Sequence, residues 1–145
     1  MEHTTAAPDA FAPAQLGPVS LRNRVIKAAT FEGMTREHVV SDRLIAFHRA
    51  MAAGGVAMTT VAYCAVSKGG RVNRHSLVFT EELVPELVTL TDAVHAEGAA
   101  ISAQLGHSGL VAQAQSKKYP SMAPSARFSA PAKGRVKQAT PADLD

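Results

Sequence analysis

Twice in this chain a helical pattern stops on glycine and a short apolar run starts at once: "AFHRAMAAGGVAMTTVAY" at 46–63 and "TDAVHAEGAAISAQL" at 91–105. Links that short leave the chain little freedom. A strand entered so directly from a helix lies beside the strand before the helix and runs the same way, so the alternation predicts parallel βαβ units.

The flanking residues agree with that order. "SDRLIAFHRAMAAGG" predicts a helix, with Ser41 as N-cap, Asp42 complementing the dipole and Gly54-Gly55 as the stop. Leu44, Ile45, Phe47, His48, Met51 and Ala52 fall on its inner face. The β-branched run that follows predicts a buried strand over 56–63. "TEELVPELVTLTDAVHAEG" predicts a second helix. Thr80 caps its first turn, Pro85 stands at the first position of the main helix, and Leu87, Leu90, Thr91 and Val94 form the inner stripe. A third strand is expected over 99–105. Upstream, "AQLGPVSLRNRVIKAAT" gives two extended pieces around Gly17-Pro18, read as a short β-hairpin. Arg22-Asn23 then turns into a strand over 24–29. Downstream, Gly106 to Ala139 reads as loop, broken by Pro120, Pro124, Pro131 and Gly134, and Thr140-Pro141 opens another helix. Residues 1–12 form a flexible N-terminus ahead of one unit over 13–145.

Composition narrows the class. With 46% hydrophobic and 19% charged residues the chain is that of a soluble globular protein. No apolar run approaches the roughly 18 residues a membrane span needs. One cysteine, Cys64, excludes an internal disulfide and suits a reducing compartment. No secretory signal pattern opens the chain, and a cytoplasmic location is the expectation. The formal charge of +3 is unevenly placed: between Glu97 and Asp143 stand six basic residues and no acid. Without a nucleic-acid motif beside them these charges read as a solvated loop, the alternative being an anion-binding patch.

Ligand sites of parallel α/β folds lie at the C-terminal strand ends. Here those ends are Ala29-Thr30-Phe31, Val61-Ala62-Tyr63 and Gln104-Leu105-Gly106-His107. A strand serving only a core has no need of a glutamine and a histidine between glycines. His38, His48 and His75 lack metal-site spacing, Glu32 and Glu37 make no acid/base pair, and Cys64 reads as a small buried hydrophobe. Gly54-Gly55 and Gly69-Gly70 fit no phosphate-loop pattern and read as turn glycines. Lys27 either reaches the ligand or covers strand surface.

Four pieces in order, "LRNRVIKAATFEGM", "AAGGVAMTTVAYCAV", "AVHAEGAAISAQLGHSGL" and "MAPSA", resemble the N-terminal part of the old yellow enzyme, or NADH:flavin oxidoreductase, family. Its members are FMN-dependent enzymes on a TIM (β/α)8 barrel. The K-A-A-x-x-E-G-M run at 27–34 is most similar to the 2,4-dienoyl-CoA reductase-like branch. The resemblance implies FMN as cofactor and NADH or NADPH as electron donor. The substrate would be a small molecule with an activated C=C, an enone or an enoyl thioester. It implies that Ala28, Ala29 and Thr30 lie under the flavin and offer backbone N–H groups, and that Tyr63 does so through its amide. Gln104 would hydrogen-bond the pyrimidine side with its side chain, Gly106 and Gly109 would let the backbone turn, and His107 would shape the site. The sequence departs from the family pattern in three places. Ala29 stands where proline is frequent, Phe31 where a side chain that tunes the flavin is frequent, and Leu110 where arginine is frequent.

The resemblance covers about three βα units of the eight. The residues that grip and protonate substrate, and the phosphate loops, belong to later strands, so no catalytic residue is assigned in this chain. A second expectation follows: a partial, catalytically inactive barrel that self-associates or needs a complementary half, because three parallel strands leave unpaired edges.

Overall fold

The computed structural model describes residues 9–35, 39–113 and 116–143. The chain opens with the expected hairpin: β1 (Ala14–Leu16) runs antiparallel to β2 (Val19–Leu21). It turns at Gly17, whose φ of +55° favours glycine. β3 (Ile26–Lys27) is shorter than the strand expected over 24–29. The residues ahead of it are otherwise engaged. Arg22 spreads its guanidinium over the carbonyls of Ala52, Val56 and Glu97, at 2.8 Å from the last two. Asn23 donates to Gly55 O at 2.8 Å and accepts from the Val25 N–H.

α1 (Asp42–Ala53) is capped by Ser41, whose Oγ accepts from the Leu44 N–H, and it buries Leu44, His48 and Ala52. β4 (Met58–Ala65) follows, two residues later at each end than expected. Its extension is held by β5 (Leu77–Val78), a two-residue strand inside the polar stretch, paired as Cys64–Leu77 and Ala65–Val78. Cys64 therefore lies within β4, not beyond it. A 3-10 turn at Glu81–Leu83 leads into α2 (Val84–His95), with Pro85 second in the helix instead of first. Either position lies in the first turn, where a missing N–H breaks no intrahelical bond. β6 (Ala100–Gly106) completes the main sheet.

All pairings in that sheet are parallel, with β4 central. β6 lies along one edge of β4, and β3 and β5 follow one another along the other. Both helices cover one face. The main core joins Leu44, Leu83 and Leu90 to Val61, Cys64 and Leu77.

The stretch from Gly106 to Ala139, expected as loop, holds three strands: β7 (Met122–Ala123), β8 (Arg127–Ser129) and β9 (Gly134–Gln138). β9 is central, parallel to β7 and antiparallel to β8, over a small core of Ala123, Ala132 and Val136. The basic residues Lys117, Lys118, Arg127, Lys133, Arg135 and Lys137 are all exposed on this excursion. The helix expected after Thr140 is, among the described residues, a single 3-10 turn at Pro141–Asp143.

Candidate functional site: the C-terminal strand ends

Side-chain alternation sorts the main sheet into two faces. Thr59 and Val61 point toward the helices: His48 Nδ1 lies 2.7 Å from Thr59 Oγ1, and Val61 is in the core. Lys27 points the same way, 5.3 Å from the centre of the Phe47 ring, and Ile101 packs on the core beneath the helices. The opposite face therefore carries Ile26 and Ala28 on β3 and its continuation, Thr60 on β4, and Ser102 and Gln104 on β6. Thr60 and Ser102 hydrogen-bond across it at 2.9 Å.

At the C-terminal end of this face the three strand tips meet. The Glu32 N–H donates to Ala62 O at 3.2 Å, and the Ala62 N–H donates to Glu32 Oε2 at 3.0 Å. This brings the segment after Ala28–Thr30 onto the tip of β4. On the other side Val61 pairs with Ala103 and Cys64 with Leu105, so Gln104 flanks Ala62 and Tyr63. Ala28, Thr30 and Gln104 are exposed, and Ala29 and Tyr63 are half-buried. Gln104 makes no side-chain hydrogen bond to a described residue, and Thr30 Oγ1 makes only a long 3.4 Å contact to Ala28 O. A primary amide left free at a strand tip can donate and accept at once.

Beneath the tips lies a buried polar cluster that sequence reasoning missed. Lys27 pairs with Glu32 and donates to Thr60 O at 3.0 Å, and His48 Nε2 lies 3.6 Å from Glu32. The Glu32 and His48 side chains are 2% and 0% exposed. Burial, and then the charge of Lys27, push the His48 imidazole down to about 4, so it is neutral near pH 7. The one available signal was an acid embedded in a run of apolar and small residues at 25–34.

Tyr63 joins two loops to the tips. Its hydroxyl donates to Gly70 O at 3.0 Å and accepts from Ser108 Oγ at 3.3 Å, and burial pushes the phenol up. Gly106 serves space and not a turn: a Cβ there would sit 2.7 Å from Tyr63 Cε2. Gly69 and Gly70 lie in a 3-10 turn, as expected, with the Gly70 N–H donating to Ser67 O at 3.0 Å, and they are close-approach residues as well, since added Cβ atoms would meet the Pro120 carbonyl and the His107 ring. Gly109, with φ +55°, is a true turn residue. His107 accepts the Gly109 N–H on Nδ1 at 3.0 Å, and burial pushes its imidazole down, which fits the loop-shaping role. Cys64 is fully buried. Burial, with Glu32's charge second, pushes its thiol up to about 12.

Among the described residues there is no group of three metal-ligating side chains, and no helix is long and apolar enough to cross a membrane.

Comparison with known proteins places these features. The family model for the NADH:flavin oxidoreductase / NADH oxidase family matches residues 9–143. A 4,4'-dithiodibutanoate disulfide reductase from Rhodococcus erythropolis is 60% identical over 142 residues, which are 98% of this chain and 35% of that protein. The chain thus spans about a third of that relative's length. Among solved structures, a 2-naphthoyl-CoA reductase complex superposes with a TM-score of 0.80 at 23% identity, over 93% of this chain and 23% of the other. Morphinone reductase in complex with tetrahydroNAD gives 0.78 at 23% identity, over 94% of this chain and 42% of the other. These likenesses establish the fold as the first part of a TIM (β/α)8 barrel, in which the helix-free face of the sheet turns inward. The family's cofactor is FMN, reduced by NADH or NADPH. The chain belongs to the NADH:flavin oxidoreductase / NADH oxidase family.

Proposed function

We propose that this segment forms part of the flavin-binding floor of an FMN-dependent NAD(P)H oxidoreductase acting on a small molecule. The observation that carries this reading is the meeting of Ala28–Thr30, Tyr63 and Gln104 at one end of one parallel sheet, with the Gln104 amide free. The residues fit a flat heterocycle. Ala28 and Ala29 add little bulk, and Gln104 offers a donor and an acceptor to a pyrimidine edge. Ala28 to Thr30 and Tyr63 contribute backbone N–H groups beside it. FMN, when bound, supplies the hydride chemistry, and the protein's part is to hold and orient it.

The substrate proposed is an activated C=C, in an enone or enoyl thioester. The 60% identity to a disulfide reductase favours a second substrate class, a small dicarboxylate disulfide. In that case NAD(P)H and a proton convert one disulfide to two thiols. Cys64 takes no part as nucleophile, being buried with its thiol raised to about 12.

The outer edge of β6, unpaired among the described residues, and Ile26, 43% exposed on the helix-free face, support a further point. These 145 residues work together with more barrel strands. On their own they bind FMN weakly, turn over little, and associate with themselves or with a complementary half. FMN titration combined with NADPH oxidation, offering an enone and 4,4'-dithiodibutanoate in parallel, tests the reading. Weak FMN binding is expected, with electron transfer to one of the two substrates only when the remaining strands are present. Failure to bind FMN in either form would overturn it.

A further inference from the structure

We propose that Glu32 is a positioning residue, which replaces a missing stretch of strand and so fixes the tip of β4 where the flavin rests. This rests on the flavin reading above and goes beyond it by assigning a role to a residue that does not itself line the floor.

One edge of β4 is paired discontinuously. β3 pairs only with Met58 and Thr59, and β5 takes over only at Cys64. On the opposite edge the β6 ladder shifts register between Val61 and Cys64, so Ala62 and Tyr63 are skipped there too. The residues nearest the proposed cofactor are thus those with least support from neighbouring strands. Unpaired backbone groups at such a place are costly unless something else bonds them.

Side chains fill the gap. Lys27 Nζ donates to Thr60 O at 3.0 Å. Two residues on, the Ala62 N–H goes to Glu32 Oε2 at 3.0 Å and the Ala62 carbonyl takes the Glu32 N–H at 3.2 Å. The spacing reproduces a parallel ladder along β4, with Lys27 and Glu32 joined to each other in place of a strand backbone. Below the clamp the neutral imidazole of His48, wholly buried in α1, lies 3.6 Å from Glu32 without a hydrogen bond to it. A bond from a backbone N–H to a carboxylate is stronger than a neutral one, which suits a single group doing the work of several ladder bonds.

The test compares the wild-type chain with Glu32→Gln, which keeps an uncharged acceptor for Ala62 but leaves Lys27 without its carboxylate, and with the double variant Lys27→Met/Glu32→Ala, which removes the side-chain bonds to Thr60 and Ala62 without stranding a buried charge. Two quantities are read: amide exchange at Ala62, with Leu44 and Leu90 as fold controls, and FMN affinity. In the double variant Ala62 exchange rises about tenfold and FMN binds about tenfold more weakly, while Glu32→Gln, which keeps a weaker acceptor, changes both by less. A folded double variant with unchanged Ala62 exchange or unchanged FMN affinity overturns the proposal. Should the double variant fail to fold, the wild-type chain decides. A through-hydrogen-bond coupling between the Ala62 nitrogen and the Glu32 carboxylate carbon supports the clamp, and its absence overturns it. If wild type binds no FMN at all, the flavin reading itself falls, a result distinct from equal binding by wild type and variant.

Discussion

Ala62 exchanges two hydrogen bonds with Glu32, one through the carboxylate at 3.0 Å and one through the Glu32 N–H at 3.2 Å. The pair ties the end of the first barrel strand to the tip of the second. Gln104 lies across the bulge on the third. The pair thus sets Ala28–Thr30 beside Tyr63, and the ladder between β4 and β6 brings Gln104 to the same surface.

The buried imidazole beneath that pair makes stability depend on pH. His48 is lowered to about 4, whereas an unfolded chain binds its proton near 6.5. Between those values the unfolded state holds the extra proton. Stability from this group is therefore complete above pH 6.5 and lost progressively down to about pH 4. At 1.36 kcal/mol for each pH unit the loss comes to about 3 kcal/mol. Urea denaturation at pH 7.5 and pH 4.5 measures it, and His48→Gln flattens the slope.

Thiol chemistry at Cys64 is expected to be silent in the folded chain. With its thiol raised to about 12 and no exposed surface, it reacts with iodoacetamide only after unfolding. Cys64→Ala loses about 1 kcal/mol from the core and leaves FMN affinity unchanged. Mass spectrometry of native and denatured samples distinguishes the two states.

Arg22 is expected to matter more than its exposed position implies. Its guanidinium bonds the carbonyl of Ala52, at the end of α1, and that of Glu97, just past α2. Ala52 O also accepts the Gly55 N–H at 3.0 Å, so Arg22 adds a second bond there and ties the end of α1 to the turn after α2. Arg22→Ala costs about 2 kcal/mol, and Arg22→Lys recovers less than half, because an ammonium cannot span the fork. Chemical denaturation of the two variants checks the order.

Glycine substitutions separate space from turn geometry. At Gly69 an added Cβ would meet Pro120 O at 2.3 Å, and the obstacle is backbone. Gly69→Ala loses about 2 kcal/mol by parting the two loops. At Gly17 nothing lies within 4 Å and only φ +55° opposes a side chain, so Gly17→Ala loses about 1 kcal/mol. Thermal melts of both should rank them in that order.

Legibility in the sequence followed the strength of local signals. The two helices were readable because Ser41, Gly54-Gly55 and Gly98 punctuate clear apolar stripes. The strands before and after them were readable because β-branched runs follow at once. β7, β8 and β9 were not, since strands of two to five residues with only Ala123, Ser129 and Val136 buried produce no apolar period. β5 escaped for the same reason. At the site, the strand tips followed from the rule that parallel sheets bind at their C-terminal ends, and the resemblance supplied the assignment of Ala28, Ala29, Thr30, Tyr63 and Gln104. Glu32 makes no acid/base pair with Glu37, which lies outside the described residues, and apart from its apolar setting its sequence position offers no other sign of a role. Its partners, Lys27 and Ala62, are set by tertiary structure and leave no mark at a fixed spacing.

The central claim is that the tips of three adjacent strands hold one flavin. The most direct measurement is an FMN titration followed by NMR, observing the Gln104 side-chain amide together with the backbone amides of Thr30 and Tyr63. The account predicts that all three signals move in concert along one binding curve, and that Gln104→Leu weakens that curve about tenfold. Movement confined to the basic excursion around Lys118, with these three signals unmoved, would contradict it.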